Sequence, residues 1–244
     1  MKDFLKDVIQ YMHGLGDVDL VKVTGTDNET KVSAVAEDKS VIVSSVFKNP
    51  IADAIGVFGM PNLSKLKTIL SFGDEYDENS QITVIREIRE GEDTPTTIHF
   101  ESKDNDFIND YRLMAKNIVE GKVKNVSFKG ATWNIQFEPS VQSILRLKRQ
   151  ASANSEELYF STKVEKGDLK IYFGDHSTHS GNFVFQAGVT GTMTKTWNWP
   201  VKAFLAIMDM PGTKTVKISD MGATEIIVDS GLAVYSYILP AQAK

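Results

Sequence analysis

The chain has 244 residues, of which 41% are hydrophobic and 24% charged, with 17 Gly, 7 Pro and no Cys. This is a globular composition with enough chain for one large or two small cores. It excludes a disulfide scaffold, a thiolate metal site and a cysteine nucleophile. Lys and Arg number 27 against 32 Asp and Glu, a formal charge of −5, which excludes an all-round basic coat for nucleic acid but leaves room for a local basic face.

The first residues, MKDFLKDVIQYMHG, carry two Asp and lack the continuous apolar stretch of an export signal. The longest apolar run, Val201 to Met208, is broken by Lys202 and falls far short of the ~18 residues that cross a bilayer. The expectation is a protein without a membrane partner, resident in the cytoplasm, or in the host cell cytoplasm if the chain is viral.

The pattern predicts a first helix over Lys2 to His13, with Phe4, Leu5, Val8, Ile9 and Met12 on one side and Lys2, Lys6, Gln10 and His13 on the other. Strands follow at Val18–Val23, Lys31–Ala36 and Val41–Phe47. A second helix is expected to open at Pro61, with Leu63, Leu66, Ile69 and Leu70 inward. Strands at Gln81–Ile88, Thr96–Glu101 and Asp106–Leu113 complete the first half. Ala115 to Gly130 has no clear periodicity and reads as a connector.

The second half repeats the order. Pro139 opens a helix with Val141, Ile144 and Leu145 on its apolar face. Lys148 lands among them, so either the helix ends earlier or the lysine stem lies over apolar surface with its ammonium reaching out. Glu157–Val164 and Leu169–Phe173 alternate cleanly, and Asn182–Val189 follows. Pro200 opens a fourth helix with Val201, Phe204, Leu205 and Met208 inward. Strands at Thr213–Ser219, Thr224–Val228 and Leu232–Leu239 finish the chain. This order predicts an α+β protein of two similar domains, residues 1–115 and 131–244, joined by a connector at 116–130. A single irregular α+β domain is the alternative. Asp106–Leu113 and Leu169–Phe173 are the candidate edge strands.

Charge is divided between the element types. The helix segments hold eight basic residues, Lys2, Lys6, Lys65, Lys67, Arg146, Lys148, Arg149 and Lys202, against Asp3, Asp7 and Asp209. The rest of the chain is strongly acidic. A helix that packs its apolar face on a sheet turns the opposite face to solvent, so these eight form a candidate polyanion-facing surface.

Catalytic constellations are missing. HExxH, GxSxG, GxxxxGK[ST] and GxGxxG do not occur. His176 and His179 have HxxH spacing but lie in a turn-rich loop, and the acidic loop Asp74–Glu78 lacks the glycine of an EF-hand loop. No metal, cofactor or catalytic residue is expected, and the protein is not expected to be an enzyme. Phe160, Phe173 and Phe185 alternate inward and read as core, which argues against a base-stacking platform.

Three segments carry a family resemblance. PSVQSILRLKR (139–149) resembles the basic helix that opens the second domain of the sliding clamps of T-even-type tailed phages. TVKISDMGATEIIVDSGLAVYSYILPA (215–241) is similar to the last strands and tail of DNA clamps broadly. IGVFGMPNLSKLKTIL (55–70) is similar to the lead-in and second helix of their first domain. The resemblance implies the DNA-clamp fold, with two helices packed on antiparallel sheets in each domain and three copies closing into a ring. It implies a processivity factor that encircles duplex DNA without reading sequence, tethers the replicative DNA polymerase, and is opened by an ATP-dependent clamp loader. It assigns the eight basic helix residues to DNA, and Tyr237, Ile238, Leu239 and Pro240 to the docking of partner peptides, with Leu239 and Pro240 expected partly exposed. A β-rich structural component of a phage virion or tail is the competing reading, and a hydrolase with a cryptic site a third.

Overall fold

Phe4, Leu5, Val8 and Tyr11 recur at helical spacing, and that stripe drives helix α1 (Lys2–Tyr11) onto a sheet while Lys6 and Gln10 stay in solvent. The computed structural model describes residues 1–73, 75–77, 79–89, 91–123, 130–175 and 179–242. Two compact units are present. The first comprises Met1–Glu37, Val43–Val126 and Ser230–Tyr235, the second Asp38–Ile42, Ser127–Asp229 and Ser236–Lys244.

In the first unit, Gly16 at φ 89° turns the chain out of a short 3-10 segment into strand β1 (Leu20–Gly25). β1 pairs antiparallel with β2 (Thr30–Val35) on one side and β4 (Gly56–Pro61) on the other. With β3 (Ile42–Phe47) the strand order is β4-β1-β2-β3. Pro61 is the last residue of β4 and does not open the helix. Asn62 caps helix α2 (Leu63–Leu70), its side-chain oxygen accepting from the Lys65 amide at 3.2 Å.

A second antiparallel sheet, β5-β6-β7, follows (Gln81–Arg89, Glu92–Glu101, Ile108–Arg112). Helix α3 (Lys116–Lys122) occupies the start of the expected connector. Its Val119 lies so close to β4 that a Cβ on Gly59 would sit 2.8 Å from the Val119 methyl, so glycine is required there for contact. The largest fully buried side chains of this core include Leu5, Met12, Met60, Leu63 and Phe100.

The second unit is built in the same manner, from strands β8–β15 and two helices. One sheet has the order β15-β14-β13-β8, from β8 (Ile135–Phe137), β13 (Thr213–Ser219), β14 (Ala223–Asp229) and β15 (Ala233–Pro240). The other runs β11-β10-β9-β12, from β9 (Tyr159–Glu165), β10 (Asp168–Phe173), β11 (Gly181–Gln186) and β12 (Trp197–Pro200). Leu169–Phe173, in β10, is therefore an interior strand, and β11 and β12 are the edges; the inward residues of β10, Leu169, Ile171 and Phe173, are all buried.

Helix α4 (Val141–Ala153) is capped by Ser140, whose hydroxyl accepts from the Ser143 amide at 3.1 Å, and helix α5 (Val201–Asp209) starts after Pro200. Both prolines stand just before their helices. The face of α4 also differs from expectation. Leu147 and Ala151 are buried, Ile144 is half-buried, and Val141 and Leu145 are exposed. The helix has two apolar stripes, and the sheet takes the one built from its later turns.

Candidate nucleic-acid interface and partner cleft

The eight basic helix residues fall into two groups. Lys6, Lys65, Lys67, Arg146 and Arg149 are exposed. Lys65 and Lys67 flank opposite sides of the outermost row of α2, Ser64, Thr68 and Ser71, because residues two apart on a helix diverge by about 200°. Arg146 and Arg149 are three apart and share one exposed face of α4.

Lys2, Lys148 and Lys202 are engaged within the protein. The Lys2 ammonium donates to the carbonyls of Tyr76 at 2.5 Å and Asp77 at 3.3 Å, fastening α1 to the loop after α2. The Lys148 ammonium pairs with the Asp209 carboxylate at the end of α5, its side chain half-buried, and the helix does not end before it but runs on to Ala153. Lys202 is exposed on α5 near Asp38. Partial burial opposes ionisation of Asp38, but hydrogen bonds from Ser40 and the charge of Lys202 outweigh it and hold that carboxyl below its ordinary value.

The C-terminal segment divides by strand parity. Tyr237 and Leu239 are fully buried, the Tyr237 hydroxyl lying 3.1 Å from the Met210 sulfur. The expected exposure of Leu239 is thus corrected: it is a core residue, because β15 continues its alternation to Pro240. Ile238 and Pro240 point the other way and line a small cleft of 180 Å³ with Ile42, Ala131, Met221 and Ala223. Sequence reasoning missed these last four. They come from separate segments of the chain, and no local pattern links them. The exposed Met221 in a tight Asp-Met-Gly turn was the one available signal.

The turn beside this cleft is closely held. The Asp220 carboxylate accepts from the Thr194 amide and hydroxyl, both at 2.8 Å, and from the Lys195 amide. Burial works against ionisation of Asp220, and these bonds more than offset it, so its carboxyl lies below the ordinary range. No group of three or more His, Asp or Glu is placed to hold a metal among the described residues. His176, Asp74 and Glu78 lie outside the described residues; His179 is exposed. No helix is long and apolar enough to cross a membrane among the described residues.

With these elements in place, the fold matches that of the PCNA-type sliding clamps. The chain is similar to A. fulgidus PCNA, in a structure that has the C-terminal region of FEN-1 bound, at 13% identity and a TM-score of 0.69, covering 100% of this chain and 96% of that one. It is similar to proliferating cellular nuclear antigen from Entamoeba histolytica at 12% identity and a TM-score of 0.66, covering 99% and 94%. No protein-family model matches the sequence, and no curated sequence matches it. At such identities the likeness establishes the fold, and function rests on the residues.

Proposed function

We propose that this protein is a DNA sliding clamp of the kind found in T-even-type phages. Three copies close into a ring around duplex DNA, residues 1–115 and 131–244 of each copy act as its two clamp domains, and 116–130 joins them. The observation that carries this reading is the placement of Lys6, Lys65, Lys67, Arg146 and Arg149 on exposed helix faces of a clamp fold in an otherwise acidic chain. Side chains of this kind attract phosphates without reading bases. Their loose contacts suit sliding, since closure of the ring and not affinity keeps it on DNA. The protein tethers and does not catalyse.

Free sheet edges support ring assembly. β7 ends one sheet of the first unit with Ile108 exposed. β11 ends one sheet of the second, beside α4 with its exposed Val141 and Leu145. Two other edges are blunted: β5 carries a bulge at Ile85/Arg86, and Gln242 bridges to Asn198 at β12. Pairing β7 of one copy with β11 of the next is a head-to-tail contact that closes on itself.

The cleft at Ile42, Ile238 and Pro240 is the docking place for apolar side chains on short peptide tails of the replicative polymerase and the ATP-dependent loader. The peptide-bound structure of the A. fulgidus relative supports a peptide as occupant.

The test is the oligomeric mass of the full chain in solution, followed by loader-dependent retention on nicked circular DNA. A trimer retained on circles and lost from linear DNA is expected. A strict monomer at every concentration, with or without loader and DNA, would sink the reading.

A further inference from the structure

Met221 combines a fixed backbone with a free side chain. Its amide donates to the Ser219 hydroxyl at 3.1 Å. On one side, the Asp220 amide donates to the Asn134 side chain at 2.9 Å and the Asp220 carbonyl accepts from the Trp197 indole at 3.2 Å. On the other, Gly222 donates to the Ser219 carbonyl and accepts from the Ala241 amide. A Cβ on Gly222 would lie 3.2 Å from the Trp197 ring. Yet the Met221 side chain is 70% exposed at the mouth of an apolar cleft, whereas Met12, Met60, Met208 and Met210 are buried. Methionine is unbranched and polarisable, and it makes favourable contacts with aromatic rings. A cleft of 180 Å³ takes one large side chain, and a flexible thioether hinged on a rigid turn suits closing over it.

We propose that Met221 is the adjustable wall of the docking cleft, and that its oxidation to the sulfoxide by a peroxide expels the aromatic anchor of a bound peptide. This rests on the docking reading above. In the step, the thioether sulfur attacks one oxygen of hydrogen peroxide. An S–O bond forms, the O–O bond breaks, and the second oxygen takes up the proton and leaves as water. The sulfur gives up two electrons and the peroxide is reduced. The product carries a polar, strongly accepting oxygen. Ile42, Ala223, Ile238 and Pro240 offer it no side-chain donor, so it stays in water and the arm no longer folds over an apolar ring. The exposure of Met221 directs the oxidant to it before the buried methionines.

The experiment uses the full chain with labelled Ile and Met methyl groups, titrated with N-acetyl-phenylalaninamide as the probe. Limited peroxide treatment follows, with the oxidised position identified by peptide mass. In the reduced protein the Ile42, Ile238 and Met221 methyl signals should shift and saturate. After oxidation at Met221 the affinity should fall roughly fivefold or more, and methionine sulfoxide reductase should restore it. Met221→Leu should show the same affinity before and after peroxide, whatever that affinity is. Undiminished binding by protein oxidised at Met221, or equal peroxide sensitivity in Met221→Leu, overturns the proposal and leaves the docking reading standing. If the probe leaves Ile42 and Ile238 unmoved in the reduced protein, the docking reading itself fails and the proposal falls with it.

Discussion

The Asp7 carboxylate in α1 accepts a 2.6 Å hydrogen bond from the hydroxyl of Tyr235, 228 residues away in sequence. Ser230 donates to the same oxygen at 3.2 Å. Asp7 is 6% exposed, and both of these partners are neutral. Burial raises its pKa above the ordinary 3.8, and the two hydroxyl bonds only partly counter that. The folded state therefore holds the proton more tightly than the unfolded chain. The stability this contributes is fully present below the unfolded pKa and is lost as pH rises through the folded one. Asp7→Asn should flatten that loss, seen as the pH dependence of the urea midpoint of mutant against parent. Asp7→Ala removes the carboxylate to which the buried Tyr235 hydroxyl donates and should cost about 1–3 kcal/mol.

Two buried threonines in the second unit should respond with opposite signs. The Thr224 hydroxyl has no hydrogen-bond partner among the described residues, so Thr224→Val removes an unsatisfied polar group at nearly constant shape and should stabilise by about 1 kcal/mol. The Thr162 hydroxyl accepts from the Trp199 indole at 2.9 Å. Thr162→Val leaves that buried N–H unpaired and should destabilise by about 1–3 kcal/mol. Denaturant midpoints of the two variants on opposite sides of the parent confirm the assignment; a shared direction refutes it.

Much of this architecture was readable because apolar periodicity was strong. Leu169, Ile171 and Phe173 alternate without interruption and are the buried face of β10. Phe4, Leu5 and Val8 mark α1 equally well. The missed elements lack such a signal. β4 (Gly56–Pro61) contains two glycines and a proline and reads as loop, but α3 covers it and the small residue at Gly59 admits Val119. β8 spans only Ile135–Phe137, too short for alternation to appear. On α4, Val141 and Leu145 compete with Leu147 and Ala151, and sequence alone does not rank the two stripes; packing does. For the candidate site, the basic helices were legible as charge on a solvent face. The pairing of Lys148 with Asp209 was not, because it joins two separate helices.

That pairing separates the arginines of α4 from its lysine. Arg146→Glu with Arg149→Glu changes two exposed residues, so folding should persist and loader-dependent retention on circular DNA should fall. If each arginine meets a phosphate, the salt slope for direct binding should lessen by about 0.9 per contact removed. Lys148→Ala should change retention far less and thermal stability slightly, since it breaks a partly exposed ion pair worth about 0–1 kcal/mol. Retention equal to the parent in the double arginine variant would show that this helix face does not meet DNA.

Strand parity in β15 makes neighbouring residues report different properties. Leu239 is fully buried, and Leu239→Ala should cost about 2–5 kcal/mol of stability. Any loss of partner binding in that variant would therefore reflect folding, and truncation from Ile238 is unsuitable for the same reason. Ile42 lines the cleft while only half-buried, so Ile42→Glu places a charge where an apolar side chain would dock and leaves the core intact. Titration with a polymerase tail peptide, monitored by fluorescence anisotropy, should show at least roughly tenfold weaker binding, about 1.4 kcal/mol. The melting temperature and oligomeric mass of this variant should match the parent. Parental affinity in Ile42→Glu would move the docking place away from this cleft, because a carboxylate at its wall cannot coexist with a bound apolar side chain without a desolvation cost.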